Sequence, residues 1–232
     1  MPEDCRLIIV EGIVGSGKSQ TTQRLANFLR RQRWQVLPFN EASWPHPTRV
    51  ITDLHSPLAP WQELTATELA HWSQRKWKQF AAEQETAENI TILDGQFFHG
   101  DMSSLLLMGM PEKEIEDYIT GVERIIRKLN PLLIYLDVGD VARSLKRTLA
   151  LRDPQWRDLQ LNWKMNSPYC RHRGYTGLPG YIQFYRDYQK LCHKLLAILP
   201  ITRQVYSTAE QKWPQIIEHI EKSALHHLQQ ND

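Results

Sequence analysis

The chain has 232 residues, of which 41% are hydrophobic and 23% charged, which fits a single α/β domain with helical additions rather than a disordered chain. The net charge is +2 and the basic residues are spread along the chain, so neither a nucleic-acid polymer nor a membrane surface is expected as a partner. The three cysteines lack paired spacing and no segment carries a long apolar run, which favours a cytoplasmic protein without disulfides, a zinc site or a membrane span.

Predicted strands and helices alternate from the start of the chain. A short β-branched run at 7–10 indicates a buried strand, and apolar residues at helical spacing indicate a helix over 18–33. Residues 34–39 favour a second strand. Four prolines within 41–60 exclude a long regular element, so this stretch is predicted to be a loop.

The same alternation continues to the end of the chain. Residues 152–180 mix Arg, Trp, Pro and Gly without a clean period and are predicted to form a mobile lid holding at most a short helix. The remaining predicted elements are a helix over 65–88, a strand over 89–93, a helix over 111–129, a strand over 132–136 with a helix after it, a helix over 181–199, a strand over 201–206 and a helix over 209–228.

Strands that alternate with helices predict a doubly wound parallel sheet with helices on both faces. Ligands of such sheets bind at the carboxyl ends of the strands. Four acidic residues, Glu11, Glu41, Asp94 and Asp137, fall at the ends of four predicted strands. We therefore expect them to surround one crevice.

A complete phosphate-loop motif follows the first strand. Residues 12–19, GIVGSGKS, match GxxxxGK[ST] between a strand and a helix, the context that this motif requires. The glycines let backbone N–H groups surround a phosphate, Lys18 adds a cation, and Ser19 is placed to ligate Mg²⁺. A glycine-rich turn that binds nothing is the alternative. The expected cofactors are ATP and Mg²⁺, with nucleotide-binding residues Gly12, Val14, Gly15, Ser16, Gly17, Lys18, Ser19 and Gln20.

Two segments carry a resemblance to known families. EGIVGSGKS at 11–19 and NPLLIYLDVGDVARSLKR at 130–147 resemble the thymidylate kinase and deoxynucleoside kinase families, including bacterial thymidylate-kinase-like proteins. The resemblance implies a three-layer P-loop NTPase fold, with a five-stranded parallel sheet in the order 2-3-1-4-5. It also implies one kinase domain over 1–232 with a helical lid at about 152–180. Such a kinase would move the γ-phosphate of MgATP to a small-molecule acceptor (a nucleoside, a nucleotide or another hydroxyl compound), and a homodimer is compatible with it.

Carried over by position, the resemblance gives roles to two acidic residues. Glu41 corresponds to the acid near the acceptor hydroxyl and is the candidate general base, with a raised pKa expected beside phosphates; a solvated loop glutamate is the alternative. Asp94 would hold Mg²⁺ with Ser19, through water, or orient the acceptor, while a helix cap is its alternative. Gly95 and Gln96 stand where these families carry an arginine.

Arginines after the fourth strand resemble the lid arginines that close on a transferring phosphoryl group. Arg147 and Arg152 are the candidates, and their spacing does not show which one enters the site. Arg143 is interpreted as part of a solvated helix face, and Asp137 either ligates the metal or caps the helix near residue 141. Trp44 is expected to line the acceptor cleft.

Two other functions stay open at this stage. A regulatory NTPase that uses hydrolysis as a switch needs the same phosphate loop, although the chain lacks a guanine-specificity motif of the NKxD kind. A kinase of a non-nucleoside hydroxyl compound would need the same parts as a nucleoside kinase. The missing arginine after Asp94 makes thymidylate a less favoured acceptor than nucleosides or other hydroxyl compounds.

Overall fold

The computed structural model describes residues 5–209 and 212–229. Within them, five strands form one parallel sheet in the order β2-β3-β1-β4-β5, as the resemblance implied. The strands are β1 (Leu7–Gly12), β2 (Val36–Phe39), β3 (Ile90–Asp94), β4 (Leu132–Asp137) and β5 (Thr202–Ser207).

The described residues also form nine α-helices. These are α1 (Lys18–Arg31), α2 (Ala66–Gln84), α3 (Asp101–Leu107), α4 (Glu112–Ile126), α5 (Val141–Leu151), α6 (Pro154–Met165), α7 (Pro168–His172), α8 (Gly177–Ile198) and α9 (Trp213–Gln229). Helix α3 was not predicted, and the lid contains two helices where at most one short helix was expected. The last helix was predicted from 209, but 210 and 211 lie outside the described residues. None of the helices described is both long and apolar enough to cross a bilayer.

The central strand β1 has apolar side chains on both of its faces. Leu7 and Ile9 pack into the larger core, which α2, α3, α4, α5 and α8 cover. Ile8 and Val10 point the other way, into a smaller core covered by α1 and α9. Because side chains alternate along a strand, a run of four apolar residues fits a sheet buried between two helical layers.

Helix α2 starts at a capping box. The Thr65 side chain accepts a hydrogen bond from the Glu68 N–H at 3.2 Å, and the Glu68 carboxylate accepts one from the Thr65 N–H at 2.8 Å. Two of the N–H groups that a helix start leaves without partners are thereby satisfied. This cap fixes where the chain leaves the proline-rich loop.

The acid at the end of β4 is not the cap of the following helix. Asp140 caps α5, because its carboxylate accepts from the Arg143 N–H at 3.1 Å. Asp137 instead accepts hydrogen bonds from the Gly139 N–H and the Gln189 side chain, each at 2.9 Å. Asp137 therefore ties β4 to α8.

Candidate active site

The phosphate loop joins β1 to α1 at the carboxyl edge of the sheet. Gly15 and Gly17 adopt φ angles of +78° and +99°, which side chains of L-residues disfavour. A Cβ at Gly15 would also lie 1.9 Å from the Thr148 hydroxyl oxygen, and one at Gly17 would lie 2.2 Å from the Trp213 ring. Glycine is therefore required at both positions for the loop to keep this shape.

The lysine of the motif is held at the mouth of the loop. Lys18 is 6% exposed, and its ammonium donates to the Ile13 carbonyl oxygen at 3.2 Å. The same nitrogen lies 4.0 Å from Glu41 Oε1. The candidate phosphate-binding cation and the candidate base are thus neighbours.

A cavity of about 660 Å³ opens beside the phosphate loop. Six of the eight predicted nucleotide-binding residues line it, namely Val14, Gly15, Gly17, Lys18, Ser19 and Gln20. The other two residues, Gly12 and Ser16, do not line the cavity. They contact each other inside the loop, since a Cβ on Gly12 would be 2.5 Å from Ser16 Oγ. This Ser16 oxygen is buried without a hydrogen-bond partner among the described residues.

Both candidate lid arginines line the cavity beside the phosphate loop, which we call the nucleotide cavity. Arg147 lies on α5 and Arg152 follows its last residue. The Arg152 guanidinium stacks 5.1 Å from the centre of the Trp156 ring, and Trp156 lines the cavity as well. Arg143 is exposed and does not line the cavity.

Asp94, the last residue of β3, has a carboxylate suited to a metal ion. It is 1% exposed, and neither carboxylate oxygen has a hydrogen-bond partner of normal geometry in the described part of the chain. Burial raises the pKa of Asp94, and the nearby Lys18 charge and Ser19 hydroxyl oppose that shift. Because no backbone N–H donates to it, Asp94 is not a helix cap. A buried carboxylate beside a serine hydroxyl fits the oxygen ligands that Mg²⁺ prefers.

Glu41 lies on the boundary between two cavities. It lines the nucleotide cavity and also a second cavity of about 350 Å³, which we call the acceptor cavity. Its carboxylate lies 3.4 Å from His99 Nε2 in addition to the Lys18 contact. Glu41 is therefore not a free loop residue, although 39% of its side chain is exposed.

Opposing effects act on the pKa of Glu41. Burial alone would raise it, but the interaction with His99 and the charges of Lys18 and Arg49 hold the pKa below its ordinary value. The raised pKa expected beside bound phosphates stays a prediction for the complex with a nucleotide. At neutral pH Glu41 is ionised and can accept a proton.

The acceptor cavity contains three residues that sequence reasoning missed. Arg49 comes from the proline-rich loop, His99 from the loop after β3 and Lys164 from α6. None of the three belongs to a recognisable motif. The one signal in the sequence is the position of His99, five residues after Asp94, which places it near the carboxyl end of β3. Among the tryptophans, Trp163 lines this cavity, whereas Trp44 is 71% exposed and lines neither cavity, against the prediction.

Glu11 holds the loop that carries His99. Its carboxylate is fully buried and accepts hydrogen bonds from the backbone N–H groups of Phe98 at 2.7 Å and His99 at 3.3 Å. Burial, aided by the Lys18 charge, lowers the pKa of His99 to about 3, so the imidazole is neutral. Glu11 thus supports the site from below rather than facing a ligand.

Glycine and glutamine follow Asp94 where the resembling families place an arginine. A Cβ at Gly95 would lie 2.6 Å from Lys18 Cε and 3.2 Å from Glu41 Oε1, and the φ angle of Gly95 is +65°. Gln96 is buried and packs against Gly100. A larger residue at 95 would therefore force the Lys18 side chain to move and would crowd the Glu41 carboxylate.

The chain matches no protein-family model and no curated protein sequence. A solved structure of deoxyadenosine kinase from M. mycoides with bound dATP matches it with a TM-score of 0.54 and 13% identity, over 94% of this chain and 99% of that chain. A structure designated APE1195 aligns with a TM-score of 0.49 and 13% identity, over 97% of this chain and 98% of that one. The likeness to the kinase concerns the fold, and the chain has the α/β architecture of a P-loop kinase.

Proposed function

We propose that this protein is an ATP-dependent phosphotransferase of the nucleoside or nucleotide kinase type. The observation that carries the proposal is the position of Glu41, which lines both the cavity beside the phosphate loop and a second cavity and lies 4.0 Å from Lys18. A hydrolase needs room for water at this point, whereas a kinase needs a separate pocket for its acceptor. The fold shared with deoxyadenosine kinase, a structure that contains dATP, supports the proposal.

In this proposal each side of Glu41 has its own task. The phosphate loop and Lys18 bind the phosphates of ATP, and Arg147 or Arg152 neutralises charge on the transferring group. Glu41, ionised, accepts the proton of the acceptor hydroxyl. Ser19 and Asp94 would hold Mg²⁺, which neutralises phosphate charge when bound.

Arg49 supplies a guanidinium to the acceptor cavity in a chain that has no arginine directly after Asp94. Its guanidinium donates to the Glu41 carbonyl oxygen at 2.7 Å, and the side chain lines the acceptor cavity. It reaches the acceptor cavity from the loop after β2. The chain can thus retain a guanidinium at the acceptor although the familiar motif is absent.

The proposal is tested by an acceptor screen with a labelled γ-phosphate. Deoxynucleosides, their monophosphates and other hydroxyl metabolites are each offered with MgATP, and transfer is compared with hydrolysis in the absence of acceptor. We expect at least one acceptor to become labelled at a rate well above hydrolysis. Labelled inorganic phosphate as the sole product across the panel would contradict the proposal and favour a switch-type NTPase.

Glu41→Gln separates the proton acceptor from nucleotide binding. Since general base catalysis contributes about 10²–10⁴-fold, we expect kcat to fall by that factor with the best acceptor while ATP still binds. Glu88→Gln, an exposed carboxylate outside both cavities, is the matched control and should keep wild-type turnover. Equal kcat values for the Glu41 variant and the control would remove the base role.

A further inference from the structure

Lys164 is a buried cation that points into the acceptor cavity. It lies on α6, in the lid, and is 5% exposed while lining the cavity. Among the residues that the structure describes, its ammonium donates one hydrogen bond, to Gln160 Oε1 at 2.8 Å, and no carboxylate lies within 4.0 Å. It also lies 3.7 Å from the centre of the Trp163 ring. A buried ammonium without an anion is costly, so these contacts leave Lys164 short of a partner.

Arg49 is a second cation at the same cavity. Its Nε is buried without a hydrogen-bond partner in the described part of the chain. Glu41 is the one acid among the described lining residues, and it already faces Lys18 and His99. The lining of the acceptor cavity therefore has more positive charge than its own carboxylate can balance.

We propose that Lys164, together with Arg49, binds an anionic group of the acceptor, a carboxylate or a phosphate, and so determines which acceptors the protein takes. This inference rests on the proposed phosphotransfer function, because it names the chemistry of the acceptor. It assigns to α6, within the predicted lid, a role in selecting the acceptor.

The charge of Lys164 responds to pH near neutrality. Burial lowers the pKa of Lys164 to about 7. Glu41 and Cys170 act to raise this pKa, and Arg49 lowers it slightly. Lys164 is charged below that pH and loses its charge above it, so affinity for an anion should fall as pH rises through 7. A bound anion would raise the pKa of Lys164. The groups that face it are Glu41, Arg49, His99, Cys170, Tyr181 and Tyr185.

Sulfate and acetate are suitable probes, because neither changes its charge between pH 6 and 8.5. Each is titrated calorimetrically into protein saturated with a non-hydrolysable ATP analogue, which fills the phosphate loop. For wild-type protein we expect binding of at least one ion, tighter by tenfold or more at pH 6 than at pH 8.5. Preference for sulfate indicates a phosphate on the acceptor, and preference for acetate indicates a carboxylate.

Two variants and a control test the residue itself. Lys164→Met should weaken binding of the ion tenfold or more at pH 6 and abolish the pH dependence, whereas Lys164→Arg should bind equally well at both pH values. Lys190→Met removes an exposed lysine outside both cavities and should behave as wild type. Lys164→Met is expected to fold, since replacing an unpaired buried charge by an apolar chain does not destabilise a core. If Lys164→Met does not fold, Lys164→Gln replaces it in the same measurement.

Unchanged ion binding in Lys164→Met would overturn the inference, even if the acceptor screen finds a kinase. Ion binding that depends on Lys164 in a protein that labels no acceptor would support the anion site and overturn the kinase proposal instead. In the acceptor screen, each neutral compound is paired with its phosphorylated or carboxylated counterpart. A tenfold preference for the anionic member of a pair, lost in Lys164→Met, supports both the kinase proposal and the anion site.

Discussion

At the scale of single residues, Gly95 determines how closely β3 approaches the phosphate loop. The Lys18 side chain passes over its Cα, and a Cβ at this position would lie within 3.2 Å of both Lys18 and Glu41. The absence of the usual arginine after Asp94 is thus connected with the presence of glycine. The Lys18 side chain occupies the space that a side chain at 95 would need.

We expect Gly95→Ala to weaken ATP binding by about tenfold or more, because the added methyl group displaces the Lys18 ammonium. Gly109→Ala is the matched control. Gly109 also has a positive φ, of +83°, but has no atom within 4 Å of the position of a Cβ. Both variants should lose about 1–2 kcal/mol of stability from the strained φ, and calorimetric titration with ATP should separate them. Equal ATP affinity in the two variants would show that the contact with Lys18 is unimportant.

Single residues also show where sequence reasoning stopped. The glycines, Lys18 and Ser19 of the phosphate loop could be located, because local backbone geometry demands those residue types in a fixed order. Arg49, His99 and Lys164 could not, since they come from three distant segments and meet only after the chain has folded. The direction in which the protein's own groups shift the pKa of Glu41 could not be predicted for the same reason, since it depends on neighbours that the sequence does not place.

At the scale of elements, the strands were predictable and the lid helices were not. Continuous apolar runs mark β1 and β4 because both faces of these strands are buried. Helix α6 is largely exposed and has only Lys164 fully buried, so it shows no apolar period to detect. Asp137 was considered as the cap of α5 although Asp140 fills that place, because a cap depends on the residue at which the helix starts.

The capping box of α2 gives a prediction for an element. Thr65→Ala removes the side chain that accepts from Glu68, and we expect the free energy of unfolding to fall by about 1 kcal/mol. Urea unfolding with a constant m-value would measure this. Thr67→Ala, an exposed threonine inside the first turn, should cost nothing, since alanine is the better helix former. A loss as large at Thr67 as at Thr65 would mean that the cap contributes little.

At the scale of the whole molecule, Glu11 makes stability depend on pH. Burial raises its pKa to about 7, against the hydrogen bonds from Phe98 and His99 and the Lys18 charge. The folded protein therefore holds this proton up to a higher pH than the unfolded chain, whose glutamate has its ordinary pKa. Stability from this group is fully present below the unfolded pKa and is lost as pH rises through the folded pKa of about 7.

Glu11→Gln tests this dependence, since glutamine keeps an oxygen to accept the Phe98 N–H and does not titrate. Relative to the variant, the wild type should lose about 3 kcal/mol of unfolding free energy as pH rises through and beyond this window. Urea unfolding at pH 5, 6, 7 and 8 measures the difference. Parallel pH profiles for the two proteins would show that Glu11 is ionised throughout.

The central place of β1 has a consequence for biosynthesis. The phosphate loop precedes β3 and β4 along the chain, but β1 pairs with β3 on one side and β4 on the other. A Cβ at Gly12 would lie 2.7 Å from the Leu136 carbonyl oxygen, so β4 directly backs the loop. A chain still on the ribosome cannot complete its nucleotide site until β4 has emerged, and ATP cannot stabilise the nascent protein before then.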